Sequence, residues 1–232
     1  GLGYACAVAF ANAGAKLAIT DISQNSLDKA VVALQDNGAE VLGLLNDASD
    51  PADVNILLDM NVTRYGRLDI AVNNAGTASP LQEFHEASEA EFDRVIAVNL
   101  KGVGLWMQAE IRQMLKQGGG RIVNMASATS RKTYPNASPY VTSKFAVAGL
   151  TRTVAVEYAE RDIRINAICP GNVATPLVVS LVEDLSVLSA KHAIKRLGTP
   201  EEVANGVMFL ASDLSSFSTG SMLEVDGGWN AI

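Results

Sequence analysis

Tyr140 and Lys144, in the run Tyr140-Val141-Thr142-Ser143-Lys144, stand at i and i+4, the spacing that puts two side chains on one face of a helix. A free phenol ionises near pH ~10, too high for proton transfer at neutrality. A cation ~4 Å away is worth ~4 kcal/mol at an effective dielectric of ~20, which would lower that pKa by about three units before solvent screening. A tyrosine so placed could serve as a general acid/base. Ser127 lies upstream, just past an apolar run, where a hydroxyl could polarise a substrate oxygen. Asn99, inside Val98-Asn99-Leu100-Lys101-Gly102, is an amide in an otherwise helical stretch, a place where asparagine is mildly unfavourable without a polar task. Each residue alone also fits a bland reading: a solvated ion-phenol pair, a turn serine, a tolerated polar residue.

A second group could hold phosphate and sugar. Gly1-Leu2-Gly3 opens a helical pattern, and the N–H groups at such a start favour anions, so a pyrophosphate could approach the backbone closely. Asp21 closes the next apolar run, where a carboxylate accepts hydrogen bonds from ribose hydroxyls and repels a 2′-phosphate. Ile22 and Ser23 follow it and supply no offsetting cation. This favours NAD(H) over NADP(H). Asn73-Asn74-Ala75-Gly76 ends another apolar run, with small residues that admit a flat ligand and amides that can brace neighbouring strands.

The elements that must position these residues alternate. Strands are expected at Lys16–Asp21, Val41–Asp47, Leu68–Asn73, Arg121–Ala126, Arg164–Ile168 and Met222–Val225. Helices are expected at Tyr4–Ala13, Gln24–Asn37, Ala52–Tyr65, Glu89–Lys116, Pro139–Glu160 and Pro200–Ser212. Gly14 and Gly38 follow the first two helices as left-handed terminators, and Asp50-Pro51 and Thr199-Pro200 read as helix entries. The rhythm predicts one α/β domain over residues 1–232: a Rossmann-type, doubly wound parallel sheet in a three-layer α/β/α arrangement. Such a fold needs a strand before the glycine turn, so a further segment of roughly 10–20 residues is expected ahead of Gly1, enough for a strand and a turn.

The balance of charges narrows the partners. The chain has 232 residues, is 48% hydrophobic and 19% charged, and carries a net charge of -7 without a run of Lys or Arg, which disfavours nucleic acid. No apolar stretch reaches the ~18 residues of a membrane span. Cys6 and Cys169 are isolated and give neither a disulfide scaffold nor a zinc site, so a cytoplasmic location is expected. His85 and His192 make no metal site and read as surface or loop residues, while Trp106 and Trp229 read as core or interface. Ala146, Ala148, Gly149 and Ala155 exceed what one sheet face needs and suit helix packing across a two-fold axis.

In order, Gly1-Leu2-Gly3, Asp21, Asp47, Asn73-Asn74-Ala75-Gly76, Asn99, Ser127, Tyr140-x-x-x-Lys144 and Pro170-Gly171 resemble the classical short-chain dehydrogenases/reductases. The resemblance runs the whole length, through Thr219-Gly220 to Val225-Asp226-Gly227-Gly228. Its one departure is the start, where the first strand and the opening Thr-Gly are absent. It implies an NAD(H)-dependent oxidoreductase moving a hydride between nicotinamide and an alcohol or ketone carbon. Tyr140 would be the general acid/base, Lys144 would lower its pKa and hold the nicotinamide ribose, and Ser127 would hydrogen-bond the reacting oxygen. Asn99 would anchor a water linking Lys144 to solvent. Gly1, Leu2 and Gly3 would meet the pyrophosphate, Asp21 and Ile22 the adenosine ribose, and Asp47 and Ala48 the adenine. Asn73, Ala75 and Gly76 would line the adenosine side, with Pro170, Gly171, Val173 and Thr175 at the nicotinamide end. Leu177–Arg196 would be the substrate loop, rich in Leu177, Val178, Val179, Leu181, Val182 and Leu185, which favours a neutral, fairly apolar substrate. The ending Trp229-Asn230-Ala231-Ile232 is similar to that of members acting on cyclic alcohols or diols. The resemblance also implies a homotetramer of 222 symmetry. Two rival readings are an NADPH-dependent 3-oxoacyl reductase and a non-catalytic dinucleotide sensor. Asp21 speaks against the first, and the presence of Ser127, Tyr140 and Lys144 against the second.

Overall fold

The computed structural model describes residues 1–181 and 184–232. Helix α1 (Leu2–Asn12) begins directly at Gly1. Gly14 and Gly38, at φ +81° and +84°, let the chain turn back after α1 and after α2 (Gln24–Asp36) into strands β1 (Leu17–Asp21) and β2 (Val41–Leu45). Helix α3 (Pro51–Tyr65) opens as its sequence suggests: Pro51 stands in the first turn, and the Asp50 carboxylate accepts the Ala52 N–H at 2.8 Å. Strand β3 (Ile70–Asn73) follows.

The expected single helix Glu89–Lys116 is interrupted. Helix α4 (Glu89–Ile96) passes through a π-helical segment, Ala97–Gly102, before α5 (Val103–Gln117). A π turn carries an extra residue per turn and is a common device at functional sites. Here it contains Asn99. Then come β4 (Gly120–Met125), α6 (Ser138–Tyr158), β5 (Ile163–Pro170), α7 (Pro176–Leu181), α8 (Leu185–Ser189), α9 (Pro200–Ala211) and β6 (Met222–Val225). Helix α9 starts on a capping box, with the Thr199 hydroxyl and the Glu202 carboxylate each accepting the other's N–H. Strand β5 is longer than expected and buried along its whole length, as suits a central parallel strand covered on both faces.

All strand pairs are parallel. β1 pairs with β2, and β3, β4, β5 and β6 form a four-stranded sheet in that order. The period-2 alternation of the strands separates two cores. Ala71, Ile122, Ile165, Ala167 and Met222 face α5 and α6, where Met107, Met114, Val147 and Ala155 meet them. Val72, Val123, Ile168 and Leu223 face the other way, onto Phe10 of α1 and Val207 and Leu210 of α9. Leu17 and Ile19 of β1 join this second cluster, so both sheets share one core and one domain. The result is the expected three-layer α/β/α Rossmann-type arrangement.

Two readings of individual residues need correction. Ala148 and Ala155 are core residues of α6 rather than part of an outward stripe. The outward face carries Phe145, Gly149 and Val156. His192 lies in a loop, between α8 and α9, but not at the surface: it is 1% exposed and packs edge-on against the buried Trp229. His85 is exposed as expected. Among the described residues no helix is long and apolar enough to cross a membrane, and no cluster of three or more acidic, His or Cys side chains could hold a metal ion.

Candidate active site

The residues singled out from the sequence gather at the C-terminal edge of the sheet, where open parallel sheets bind ligands. Asp21 ends β1, Asp47 follows β2, Asn74 to Gly76 follow β3, Ser127 follows β4, and Gly171 to Thr175 follow β5. Strands fix the depth of each residue, and the helices behind them close the site.

Ser127 has an extended backbone, and its Oγ accepts two hydrogen bonds, from Thr129 N at 3.2 Å and Thr129 Oγ1 at 3.0 Å. These contacts hold the side chain against the turn that follows β4. The Ser127 side chain is also near enough to the Tyr140 phenol to lower its pKa. Ser130 steadies the turn: its Oγ accepts Ser127 N–H at 3.2 Å and donates to the Lys144 carbonyl at 2.9 Å. Tyr140 and Lys144 do share one face of α6, but the ammonium reaches past the ring. Lys144 Nζ lies 5.8 Å from the ring centroid and donates to the Met125 carbonyl at 2.7 Å.

The electrostatics of the chain alone differ from the simple cation-phenol expectation. Burial raises the Tyr140 phenol above its ordinary value, with the Ser127 hydrogen bond acting in the opposite sense. Burial also brings the Lys144 ammonium down to about 8. The expected lowering of the phenol is therefore not produced by Lys144 in the chain by itself, because the desolvation of the phenolate dominates.

Asn99 is fully buried, and its amide is spent on protein. Oδ1 accepts Thr77 N–H at 2.7 Å, while Nδ2 donates to Thr77 O at 2.9 Å and Ser143 Oγ at 3.0 Å. Ser143 Oγ in turn donates to the Tyr140 carbonyl at 2.7 Å. The side chain thus positions the loop after β3 and the start of α6, leaving no amide hydrogen for a water. Gly76 lies between the two groups: a Cβ there would stand 3.4 Å from Asn99 Oδ1 and 3.7 Å from Lys144 Nζ.

At the other end, Gly3 of α1 meets Asn74, and a Cβ on Gly3 would come within 2.6 Å of Asn74 Nδ2. Asp21 is exposed, and its Oδ1 accepts Ser23 N–H at 2.8 Å. Asp47 turns its carboxylate into its own loop, accepting from Ser49 N and Oγ at 2.9 and 2.7 Å, which holds it below the usual carboxylate range. Ala48 presents its carbonyl to the π segment, where a Cβ on Gly102 would sit 2.8 Å from the oxygen. The Asn73 side chain turns into the protein, as a bracing amide would, and leaves only its backbone for the adenosine side. Its Nδ2 donates to Glu110 Oε2 at 3.1 Å and Asn124 Oδ1 at 2.9 Å, so the amide braces α5 and β4. Beyond β5, Val173 and Thr175 are buried, and Thr175 Oγ1 accepts Val178 N–H at the start of α7. Val182 of the substrate loop lies outside the described residues.

This donor set fits a nicotinamide dinucleotide. A helix start with glycine on either side of Leu2 admits a pyrophosphate, an exposed carboxylate suits ribose hydroxyls, and the buried ammonium keeps two N–H groups without a protein acceptor among the described residues. The comparisons with known proteins agree. A family model described as enoyl-(acyl carrier protein) reductase matches residues 1–230. The chain is 41% identical to a cis-4-hydroxycyclohexanecarboxylate dehydrogenase of Sinomonas cyclohexanicum, over 100% of this chain and 93% of the relative. It belongs to the short-chain dehydrogenase/reductase family. The crystal structure of a levodione reductase superposes with a TM-score of 0.96 at 37% identity, covering 100% of this chain and 94% of that one. A structure named ElxO with NADP bound superposes with a TM-score of 0.93 at 31% identity, covering 100% and 95%. Members of the short-chain dehydrogenase/reductase family interconvert alcohols and ketones with NAD(P)(H).

Three polar residues of this member escaped the sequence reading. Glu110 is a buried acid in an amphipathic helix, where nothing in the spacing marks it as inward. Arg94 fixes the loop after β3 by donating to Thr77 Oγ1 at 2.6 Å and Ala78 O at 2.8 Å. Only a three-dimensional arrangement reveals that contact. His192 lay inside the segment read as loop, and its burial follows from Trp229, 37 positions away in the sequence.

Proposed function

We propose that this protein interconverts a secondary alcohol and a ketone, with NAD(H) preferred over NADP(H), on a small, mostly apolar and cyclic molecule. One observation carries the reading: the Ser127 side chain and the Tyr140 phenol meet at the end of β4 beside the buried Lys144 ammonium, which is anchored on Met125 O. The dinucleotide, when bound, carries the hydride. Ser127 donates to the substrate oxygen, a bond that strengthens as that oxygen gains charge. Tyr140 gives its proton to the oxygen in reduction and takes one in oxidation. The burial that raises its pKa keeps it protonated in the chain alone, ready for the reductive direction. Lys144 holds the nicotinamide ribose with its two free N–H groups. Asn99 acts as a positioning residue through Thr77 and Ser143, rather than by binding a water through its side chain.

Asp21 supports the NAD(H) preference, since its second oxygen has no protein donor among the described residues and an exposed carboxylate repels a 2′-phosphate. Gly1, Leu2 and Gly3 take the pyrophosphate, Ile22, Asp47, Ala48, Ala75 and Gly76 the adenosine half, and Pro170, Gly171, Val173 and Thr175 the nicotinamide end. The apolar run of the substrate loop and the name of the Sinomonas relative support the ring substrate.

The test is a panel of ring and chain alcohols and ketones with NAD(H) and NADP(H), followed by nicotinamide absorbance and including cyclohexanol and 4-hydroxycyclohexanecarboxylate. Tyr140→Phe should lower kcat by ~10²–10⁴-fold with dinucleotide affinity nearly unchanged. A Tyr140→Phe enzyme with wild-type turnover, hydride transfer being shown rate-limiting by a deuteride isotope effect, would refute the assignment.

A further inference from the structure

The segment after β5 is held from two sides. On one side Ala174 N donates to Gly198 O at 2.9 Å and Gly198 N to Asn172 O at 3.0 Å, forming a parallel bridge between Val173 and Gly198. On the other side Asn172 N donates to His192 Nε2 at 3.0 Å. A bond arriving at Nε2 requires a lone pair there, so the imidazole is neutral with its proton on Nδ1. Nδ1 is buried and finds no partner among the described residues. Burial of a polar ring with one nitrogen unmatched is unfavourable, and the contact at Nε2 is what the ring gains in return.

The surroundings are shaped to that ring. A Cβ on Gly171 would lie 2.7 Å from His192 Nε2, so glycine lets the imidazole come up against the backbone. Trp229 meets the ring edge-on at 5.7 Å between centroids. Its neighbour Asn230 donates to the Ala128 carbonyl at 3.1 Å, next to Ser127. His192 therefore joins the end of β5 to the C-terminal tail and, through it, to the turn that carries Ser127.

We infer that His192 is a positioning residue of the active site, whose neutral imidazole sets the Gly171–Val173 backbone in the conformation that receives the nicotinamide end of the dinucleotide. This rests on the dinucleotide reading above. Because the Gly198 bridge is independent of His192, removal of the imidazole loosens the segment on one side and leaves it attached on the other.

Two variants test this. His192→Leu keeps bulk and removes the acceptor, and His192→Gln places an amide oxygen near the position of Nε2. Wild type and both variants are titrated calorimetrically with NADH and with AMP, which carries only the adenosine half, alongside melting temperature, kcat and KM. Expected is about tenfold weaker NADH binding by His192→Leu, the scale of one lost buried hydrogen bond, with AMP binding unchanged and most of the NADH affinity restored in His192→Gln. Equal losses for NADH and AMP, no loss at all, or a Gln variant as weak as the Leu variant at normal melting temperature would each overturn the assignment. If His192→Leu does not fold, the Gln variant decides: NADH affinity within about threefold of wild type supports the inference, and a tenfold loss overturns it. Wild type that binds neither probe would overturn the proposed function and this inference together, and the wild-type arm alone reports that outcome.

Discussion

Glu110 should make this protein less stable as the pH rises through neutrality, and Glu110→Gln should abolish that loss. Its carboxylate is buried on α5 and faces uncharged groups: Asn73 Nδ2 donates to it, Asn73 also donates to Asn124, and Asn124 donates to Thr151 Oγ1 at 2.9 Å. Burial lifts the carboxyl from 4.5 to about 7, and the Asn73 hydrogen bond offsets only part of that. In the unfolded chain the group ionises near 4.5. Between 4.5 and 7 the folded state therefore binds more protons, and stability falls as pH rises. Below about 4.5 both states are protonated and no penalty exists. Above about 8 the penalty is complete, and the difference of the two values gives about 3 kcal/mol. Glutamine keeps an oxygen for Asn73 and carries no charge. Urea unfolding of both proteins at fixed concentration should show the variant about 3 kcal/mol more stable at pH 8 and within about 1 kcal/mol of wild type at pH 5. For a chain of this length that corresponds to a rise in Tm of about 6–12 °C at pH 8. A stability difference independent of pH, or none at pH 8, would refute the reasoning.

Lys144 should show the opposite linkage. Its folded pKa is depressed from 10.5 to about 8, so the cost of burying the charge is full at pH 7 and is relieved as pH rises toward 10.5. Lys144→Met should lose turnover and weaken dinucleotide binding, while its stability relative to wild type declines by about 2 kcal/mol between pH 7 and pH 10 in urea titrations. Asp21→Ala should narrow the ratio of kcat/KM for NAD(H) over NADP(H), and an unmodified enzyme that prefers NADP(H) would contradict the role given to this carboxylate. Gly102→Ala drives a methyl group against the Ala48 carbonyl and should cost about 1–3 kcal/mol in unfolding free energy, with a raised KM for the dinucleotide. Light scattering at micromolar concentration should give a tetramer, built in part on the outward stripe of Phe145, Gly149 and Val156.

Local chemistry accounts for what was legible before the fold was seen. Asp50-Pro51 and Thr199-Pro200 announce helix starts because a capping side chain and a fixed φ act within a few residues. The rhythm of short apolar runs and longer helical patterns announces a parallel sheet covered on both faces. Tyr140 and Lys144 share a helix face by spacing alone, but the 5.8 Å between ammonium and ring, and the choice of Met125 O as partner, depend on where β4 lies beneath α6. Asn73 and Asn74 are adjacent in sequence and point to different tasks because successive residues leaving a strand face opposite sides: one braces α5, the other meets Gly3. The π segment was invisible because Ala97 to Gly102 reads as ordinary helix, and only the approach of Ala48 explains Gly102. Burial of His192 and Glu110 depends on partners far off in the chain, which no spacing rule reaches.

That π segment has a consequence for how such proteins can exchange parts. Asn99 grips the loop beside Lys144, and three residues later Gly102 accepts the backbone of the Ala48 loop. The two ends of the ligand cleft thus share one stretch of main chain. A chimera of two relatives that crosses over between residues 50 and 96 would join an adenine-side loop from one parent to a π segment shaped by the other. Chimeras that inherit residues 46–48 and 97–102 from the same parent should fold and turn over more often than those that split them.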